Sequence, residues 1–209
     1  MENRSTKELY LISALRLFAE KGYDAVSVAE IASAVGVSAP ALYKHFKSKQ
    51  ALFDAIIELS DRDFSSRMGK FGVSFDSDPE EQTAFFKLSE EAQIKMIQQL
   101  FNHTLGDEYP ALFRKLMTVE QFKQPRLAEL YNRRYVDAQY DAFEALMQDG
   151  IELGIYKPGN ARAMAIQYIS PIIVLVGVCD RAPERKEESL QAIADHIRQF
   201  DRIYRISEK

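Results

Sequence analysis

Cysteine occurs once in the 209 residues, at Cys179, so the chain cannot close a disulfide on itself and nothing ties it to an oxidising compartment. Histidine occurs only three times, and there is no GxGxxG, Walker, HExxH or CxxC pattern. These absences remove the common dinucleotide, nucleotide-phosphate and zinc sites. His103 with Asp107 and Glu108 comes nearest to a metal set, but no further ligand spacing completes it. Glu187 and Glu188 lie in a charged run that reads as a solvated helix face. No catalytic residue, metal or cofactor is expected, and the chain is not expected to be an enzyme. Glycine and proline are scarce, nine and seven, whereas Leu, Ala, Glu, Lys and Gln are plentiful, a balance that favours helix. The opening MENRSTKELY lacks the apolar core of a signal peptide. The most apolar stretch, Ala163 to Val178, is interrupted by Gln167, Ser170 and Pro171 and is short for a membrane span. A cytoplasmic protein without a membrane partner is expected.

What is present begins with an uneven charge. The net charge of −4 speaks against nucleic acid as a partner, yet its distribution does not. Residues 1–55 carry seven Lys/Arg against six Asp/Glu, and residues 56–209 carry twenty against twenty-five. Between Glu30 and Asp54 there is no acidic residue, while Lys44, Lys47 and Lys49 add positive charge. A small basic window on an acidic body suits a focused contact with DNA, although three lysines also occur on ordinary solvated faces.

Helical periodicity runs through the chain. Leu11, Ala14, Leu15 and Phe18 recur at the spacing of one helix face, and Gly22 follows at a helix-ending position. Ser27 and Glu30 form a capping box for a second helix with Val28, Ile31, Ala32 and Val35 on its apolar stripe. Gly36 breaks it, and Ser38 caps a third helix that opens Ala39-Pro40 and turns Leu42 and Phe46 inward. Ser48 opens a fourth helix through Leu52, Phe53, Ile56, Leu59 and Phe64. A loop is expected over Gly69 to Asp78, with a helix start at Asp78-Pro79-Glu80-Glu81. Further helices are expected from about Tyr109, from Gln124-Pro125 to about Leu153, from Asn160 to about Val178, and from about Glu184 to Ile206. Without repeats or period-two strands, the fold class is all-α.

Within Val28 to His45 the spacing suits a helix-turn-helix. Ala32 would allow two helices to cross closely, and Gly36 would supply the sharp turn. An Ala–Gly pair at this spacing also occurs in plain helical hairpins. The wider window is more specific: Ile12, Ala14, Leu17-Phe18-Ala19, Lys21-Gly22-Tyr23, Ser27 to Ala32, Ala34 to Ser38, and Leu42-Tyr43-Lys44-His45-Phe46-Lys47-Ser48-Lys49, closed by Leu52-Phe53. This ungapped run resembles the TetR family of transcriptional regulators over about fifty residues, a quarter of the chain.

The resemblance implies an N-terminal three-helix DNA-binding domain over residues 1–50, followed by a larger helical effector-binding and dimerisation domain over 51–209. It implies a DNA-binding set of Ser27, Ser38, Ala39, Pro40, Ala41, Tyr43, Lys44, His45 and Lys49. Ser27 would meet a phosphate at a helix N-terminus. Ala39 and Ala41 have no side-chain hydrogen-bonding groups and would read only by apolar contact, for instance with thymine methyls. Lys44 is the candidate cation for a base edge or phosphate, Tyr43 and His45 suit backbone hydrogen bonds, and Lys49 would clamp a phosphate. The plain structural alternatives are Tyr43 as a partly core residue, His45 as a hydrogen-bonder between helices, and both serines as the caps that any helical protein needs.

The same resemblance implies a homodimer that binds a palindromic operator in double-stranded DNA and releases it on binding a small-molecule effector. For the dimer interface, the penultimate helix offers Ile166, Ser170, Ile173, Val174 and Gly177, and the last helix Leu190, Ile193, Ala194 and Ile197. Each stripe could instead face its own subunit's core, which periodicity does not decide. An apolar effector would suit Phe101, Phe113, Met117, Phe122, Tyr140, Phe143, Met147 and Tyr168, residues that suit an ordinary core equally well.

Overall fold

The computed structural model describes residues 6–70, 85–106 and 108–206, with side chains over the same residues except 63–70 and 87. Among the described residues there are ten α-helices and no strand longer than a single bridge. They are α1 (Thr6–Lys21), α2 (Val28–Ala34), α3 (Ala39–Tyr43), α4 (Lys49–Lys70), α5 (Glu90–Leu105), α6 (Glu108–Glu120), α7 (Pro125–Asn132), α8 (Ala138–Glu152), α9 (Ala161–Arg181) and α10 (Lys186–Tyr204). The expected all-α fold is the one observed. The first two residues of the expected loop, Gly69 and Lys70, belong to α4. The rest of that loop and the helix start at Asp78-Pro79-Glu80-Glu81 lie outside the described residues.

The chain forms two compact units, one comprising Met1–Lys70 and Asp107–Glu129, the other Phe71–Gly106 and Leu130–Lys209. The first unit is thus larger than the 1–50 module expected from sequence, because it takes in α4 and returns later for α6 and most of α7. Its centre is α1, which buries Tyr10, Leu11, Ile12, Ala14, Leu15, Phe18 and Ala19. Helices α2, α4 and α6 pack against it. From α6 come Phe113, Leu116, Met117 and Glu120, a face spaced at three and four residues, and all of these are buried. Two ion pairs set its register: Arg16 grips Glu108 through Nε and Nη2 at 2.7 and 2.8 Å, and Arg126 reaches Asp54 at 2.7 Å.

The second unit is built from α5, α8, α9 and α10 around one apolar cluster that includes Phe101, Phe143, Met147, Tyr156, Tyr168, Ile193, Ile197 and Phe200. Side-chain oxygens of Ser89 and Asn160 cap α5 and α9 by accepting the N–H groups of Ala92 and Ala163. The long helix expected from Gln124-Pro125 is observed as α7 and α8 joined by one π-helical segment, Arg133–Asp137, so the run reaches Glu152 without a break in helical structure. Helix α9 is the one described helix long and apolar enough to cross a membrane by length and composition. It buries Met164, Ala165, Tyr168, Ile169, Ile172 and Cys179 in the cluster and leaves Ile166 and Val174 exposed.

Tyr156 closes the base of this cluster. Its ring meets Phe86 and Phe200 edge-on, and its hydroxyl donates to Asp201 at 3.3 Å. Burial is the main cause that pushes its phenol far above the usual range, with the Asp201 charge second. The backbone of Ile155 and Lys157 pairs with that of Tyr204 and Ile206 at 2.8 Å, which pins the last turn of α10. Gly150 lies directly beneath: a Cβ there would stand 2.6 Å from the Tyr156 ring and 2.9 Å from that of Phe86. Gly150→Ala is therefore expected to destabilise the protein by about 1–3 kcal/mol through overpacking. Urea unfolding followed by circular dichroism checks this, and an unchanged midpoint would contradict the packing described.

Candidate nucleic-acid interface

Helices α2 and α3 are seven and five residues long, too short to persist alone, and they exist because α1 and α4 support them. Ile31 and Ala32 of α2 and Leu42 of α3 are buried at or below 1% exposure, with Phe46 just beyond. Ala32 is buried on α2, the helix that packs against both α1 and α3. Gly36 takes φ +71°, the left-handed turn for which glycine is favoured, and Val37 donates its N–H back to Ala32 at 2.9 Å. The Ser27 hydroxyl caps α2 by accepting the Glu30 N–H at 3.1 Å, and Ser48 caps α4 by accepting that of Ala51 at 3.0 Å. Glu30 also pairs with Lys21, and that hydrogen bond is the main cause lowering the Glu30 carboxyl and raising the Lys21 ammonium from their ordinary values. Ser38 has extended backbone at the head of α3 but makes no side-chain cap bond.

Helix α3 and the turn that follows it divide into a buried and an exposed side. Leu42 and Phe46 are buried, whereas Pro40, Tyr43, Lys44 and His45 are exposed and Ala39 and Ala41 half-exposed. Tyr43 is 47% exposed, which answers the question of whether it belongs to the core. His45 does touch a neighbouring helix, its ring lying 5.2 Å from that of Tyr10 in an edge-on contact, and its other edge remains exposed. Seven of the nine expected DNA-binding residues, from Ser38 to His45, are thereby gathered on one short outward surface, with Ser27 exposed at the head of α2.

Lys49 is placed differently from the expectation. Its ammonium donates to the carbonyls of Tyr23 at 2.7 Å, Val26 at 2.9 Å and Asp24 at 3.4 Å, and lies 4.3 Å from the Tyr23 ring centroid. A lysine has three donors, so a phosphate would have to displace one of these bonds. Glu120 was not singled out in the sequence at all. It is fully buried, and its Oε1 accepts the Tyr23 N–H at 2.9 Å. Only its helical register with Phe113 and Met117 could have marked it, as an acid on an apolar face.

The expected interface and pocket residues also separate. Ile193, Ala194 and Ile197 of α10 are buried in the core of their own unit, whereas Leu190 is half-buried at its edge; the exposed members of the expected dimer set lie on α9. There Ile166 and Val174 are exposed, and Ser170, Ile173 and Gly177 half-buried. Periodicity marks an apolar stripe without saying what covers it, and for Ile193, Ala194 and Ile197 the cover is their own unit. Among the pocket candidates, Phe113 and Met117 belong to the first unit, and Phe122 is 91% exposed just after α6. Phe101, Phe143, Met147 and Tyr168 come together in the second unit's core with Tyr140 beside them. Tyr168 stacks on Phe143 at 5.3 Å, and its hydroxyl is buried without a hydrogen-bond partner. No group of three or more His, Cys, Asp or Glu able to hold a metal occurs among the described residues.

Comparison with known proteins places this surface. The family described as "Bacterial regulatory proteins, tetR family" matches residues 11–56, which span most of α1 through the first turns of α4. The transcriptional regulator AcrR of Shigella flexneri is 40% identical over 78 residues, 37% of this chain and 36% of that protein, so the match spans about a third of the relative's length. The fold recurs in a TetR-family regulator from Mesorhizobium loti at TM-score 0.65 and 17% identity, covering 96% of both chains. It recurs also in SmeT, the repressor of the SmeDEF multidrug efflux pump of Stenotrophomonas maltophilia, at TM-score 0.62 and 18% identity, covering 98% of this chain and 92% of that one. SmeT in complex with triclosan gives TM-score 0.64.

The two serines should behave differently under substitution. Ser27→Ala removes a formed cap and is expected to cost about 1 kcal/mol. Ser38→Ala removes none and should stay within about 0.5 kcal/mol. Urea midpoints of the two variants check the contrast, and equal losses would refute it.

Proposed function

We propose that this chain, which belongs to the TetR family through its N-terminal module, is a homodimeric transcriptional regulator that binds a palindromic operator and is released from it by a small-molecule effector. The observation that carries this reading is the outer face of α3. In a segment without acidic residues from Ile31 to Phe53, Tyr43 at the end of a short helix and Lys44 and His45 in the turn after it are exposed together, with Leu42 and Phe46 buried behind them. Such a helix enters a major groove with its N-terminal residues, here Ser38 to Ala41, toward base edges. Ala39 and Ala41 contribute apolar contact, and Lys44 the positive charge. Ser27 at the head of α2 offers a phosphate both a hydroxyl and the N–H groups of a helix N-terminus.

Dimerisation supplies the second half-site. Two such helices read one DNA face when separated by about 34–36 Å. The exposed face of α9, with Ile166, Ser170, Val174 and Gly177, is the surface we assign to the partner subunit, since small and apolar residues side by side let helices approach closely. An apolar effector would be bound by the second unit. The unpartnered, buried Tyr168 hydroxyl supports this location, because an unmade hydrogen bond in a core costs about 1–3 kcal/mol that a ligand acceptor recovers. The triclosan complex of SmeT supports the same class of ligand. An effector relieves repression only to the extent that it binds the DNA-incompetent state more tightly than the competent one. A cytoplasmic location accords with this role.

The test is fluorescence anisotropy of the purified protein on the DNA upstream of its own gene, or on sites recovered from random-sequence selection, across a salt series. Saturable binding that outcompetes random DNA is expected, with log K falling linearly against log salt. Lys44→Ala should weaken binding and reduce the slope by about 0.9 if the lysine meets one phosphate. Absence of binding to any selected sequence would refute the regulator reading. Tyr168→Phe should leave folding stability equal or slightly higher, since it removes an unpaired hydroxyl. The same variant should raise the effector concentration needed for release, and an unchanged effector response would place the effector elsewhere.

A further inference from the structure

The turn between α1 and α2 is a five-residue stretch, Gly22 to Val26, that positions the N-cap Ser27, and its backbone is held from two sides by opposite charges. On one side, the Glu120 carboxylate is fully buried at the end of α6 and accepts the Tyr23 N–H at 2.9 Å. Its second oxygen receives the Gln124 side-chain amide at 3.4 Å, and Lys123 stands 3.9 Å away with its chain largely exposed. On the other side, the Lys49 ammonium collects the carbonyls of Tyr23, Asp24 and Val26. The Tyr23 ring lies beneath that ammonium, wedged at 5.3 Å from Phe18 and 4.7 Å from Phe53, with its hydroxyl donating to Gln50 at 3.1 Å.

The turn has little else to hold it. Apart from Gly22 N–H to Phe18 and a long 3.4 Å bond from Val26 N–H to Tyr23, no backbone hydrogen bond within it is formed. Gly22 has φ +83°, and a Cβ there would stand 2.8 Å from the Glu120 carboxylate, so the close approach of that oxygen itself requires glycine. A buried carboxylate that lost its donors would be strongly unfavourable, so the pairing is directional: Glu120 holds Tyr23 at one distance or not at all.

We infer that Glu120 is a positioning residue of the DNA-binding module, and that it and Lys49 together clamp the α1–α2 turn so that Ser27 and the head of α2 are presented to a phosphate, with Lys49 committed to the turn instead of to DNA. This rests on the regulator reading above. Carboxylate and ammonium are both needed, because the turn leaves the Tyr23 N–H without a backbone acceptor and the Asp24 and Val26 carbonyls without a backbone donor, with the Tyr23 carbonyl held only by a long 3.4 Å bond, and a single side chain of either sign satisfies only one set.

The experiment compares the full-length wild type with Glu120→Gln, Glu120→Ala and Lys49→Met by hydrogen exchange at residues 22–27 and by DNA affinity across a salt series. Glu120→Ala and Lys49→Met should speed exchange in the turn while exchange in the core of α1 stays slow. Both should weaken DNA binding about tenfold or more, the loss expected from one charge-assisted hydrogen bond, with the salt slope unchanged. Glu120→Gln keeps an oxygen acceptor for the Tyr23 N–H and should recover most of both properties. If Glu120→Ala does not fold, Lys49→Met carries the decision through the same two measurements. A Lys49→Met protein whose slope falls by about 0.9 with unchanged exchange in the turn would overturn the inference and return Lys49 to a phosphate contact. Unaltered exchange and affinity in Glu120→Ala, or in Lys49→Met, would overturn it as well. A wild type that binds no DNA would refute the regulator reading separately, while exchange, which needs no DNA, would still decide whether the clamp exists.

Discussion

Burial of α1 on more than one side is the constraint on which the first unit depends. A sixteen-residue helix is marginal in water, and α2 and α3 are shorter still. Leu15 and Phe18, both completely buried, each contribute about 1.5–3 kcal/mol by removal from water. Because α2, α4 and α6 all use the same helix as their floor, the outer face of α3 is rigid without a large core of its own. Pro40, Tyr43, Lys44 and His45 can be exposed together only because Leu42 and Phe46 are anchored behind them.

The two units bury polar groups in different ways. In the first, the Glu120 carboxylate lies at the end of an apolar face, and its partners are one backbone N–H of a turn, the Gln124 side-chain amide and Lys123. Surface ion pairs such as Arg16–Glu108 and Arg126–Asp54 are individually worth little, yet they fix which residue of α6 and α7 lies against which residue of α1 and α4. In the second, the interior is a nearly continuous aromatic cluster of Phe86, Phe143, Tyr156, Tyr168 and Phe200, with Tyr168 carrying an unpaired hydroxyl. The first unit is pinned by charge at its α1–α2 turn, and the second is packed with rings, of which Tyr168 keeps an unpaired hydroxyl.

Much of the local structure was legible in the residues themselves. Ser27, Ser48 and Asn160 cap helices with their side chains as read, and Gly22 and Gly36 end or turn helices with positive φ. These features depend on a residue and its neighbours three or four positions away, a range that periodicity and capping chemistry cover. Helix α5 had its signal in Ser89-Glu90-Glu91, a cap followed by acids against the helix dipole, but lay in the shadow of the stronger start at Asp78-Pro79. The π-helical segment at Arg133–Asp137 has no comparable mark, because a single wide turn leaves the apolar spacing on either side almost unchanged.

The sequence by itself determined the all-α class and the spacing that suits a helix-turn-helix, with a small residue at Ala32 and a glycine at the turn. These follow from local spacing and from the chemistry of single side chains, whereas the set from Ser38 to His45 was marked by the family resemblance and not by spacing. Only the tertiary structure decided that Ile193, Ala194 and Ile197 face their own core, that Phe113 and Met117 belong with α1, and that Lys49 and Glu120 meet across the same turn. An apolar stripe or a charged side chain states what it requires, burial or a partner of opposite polarity, without naming what will supply it. That supplier stood up to 97 residues away in the chain, as Glu120 does from Tyr23, and only folding brought the two within 2.9 Å.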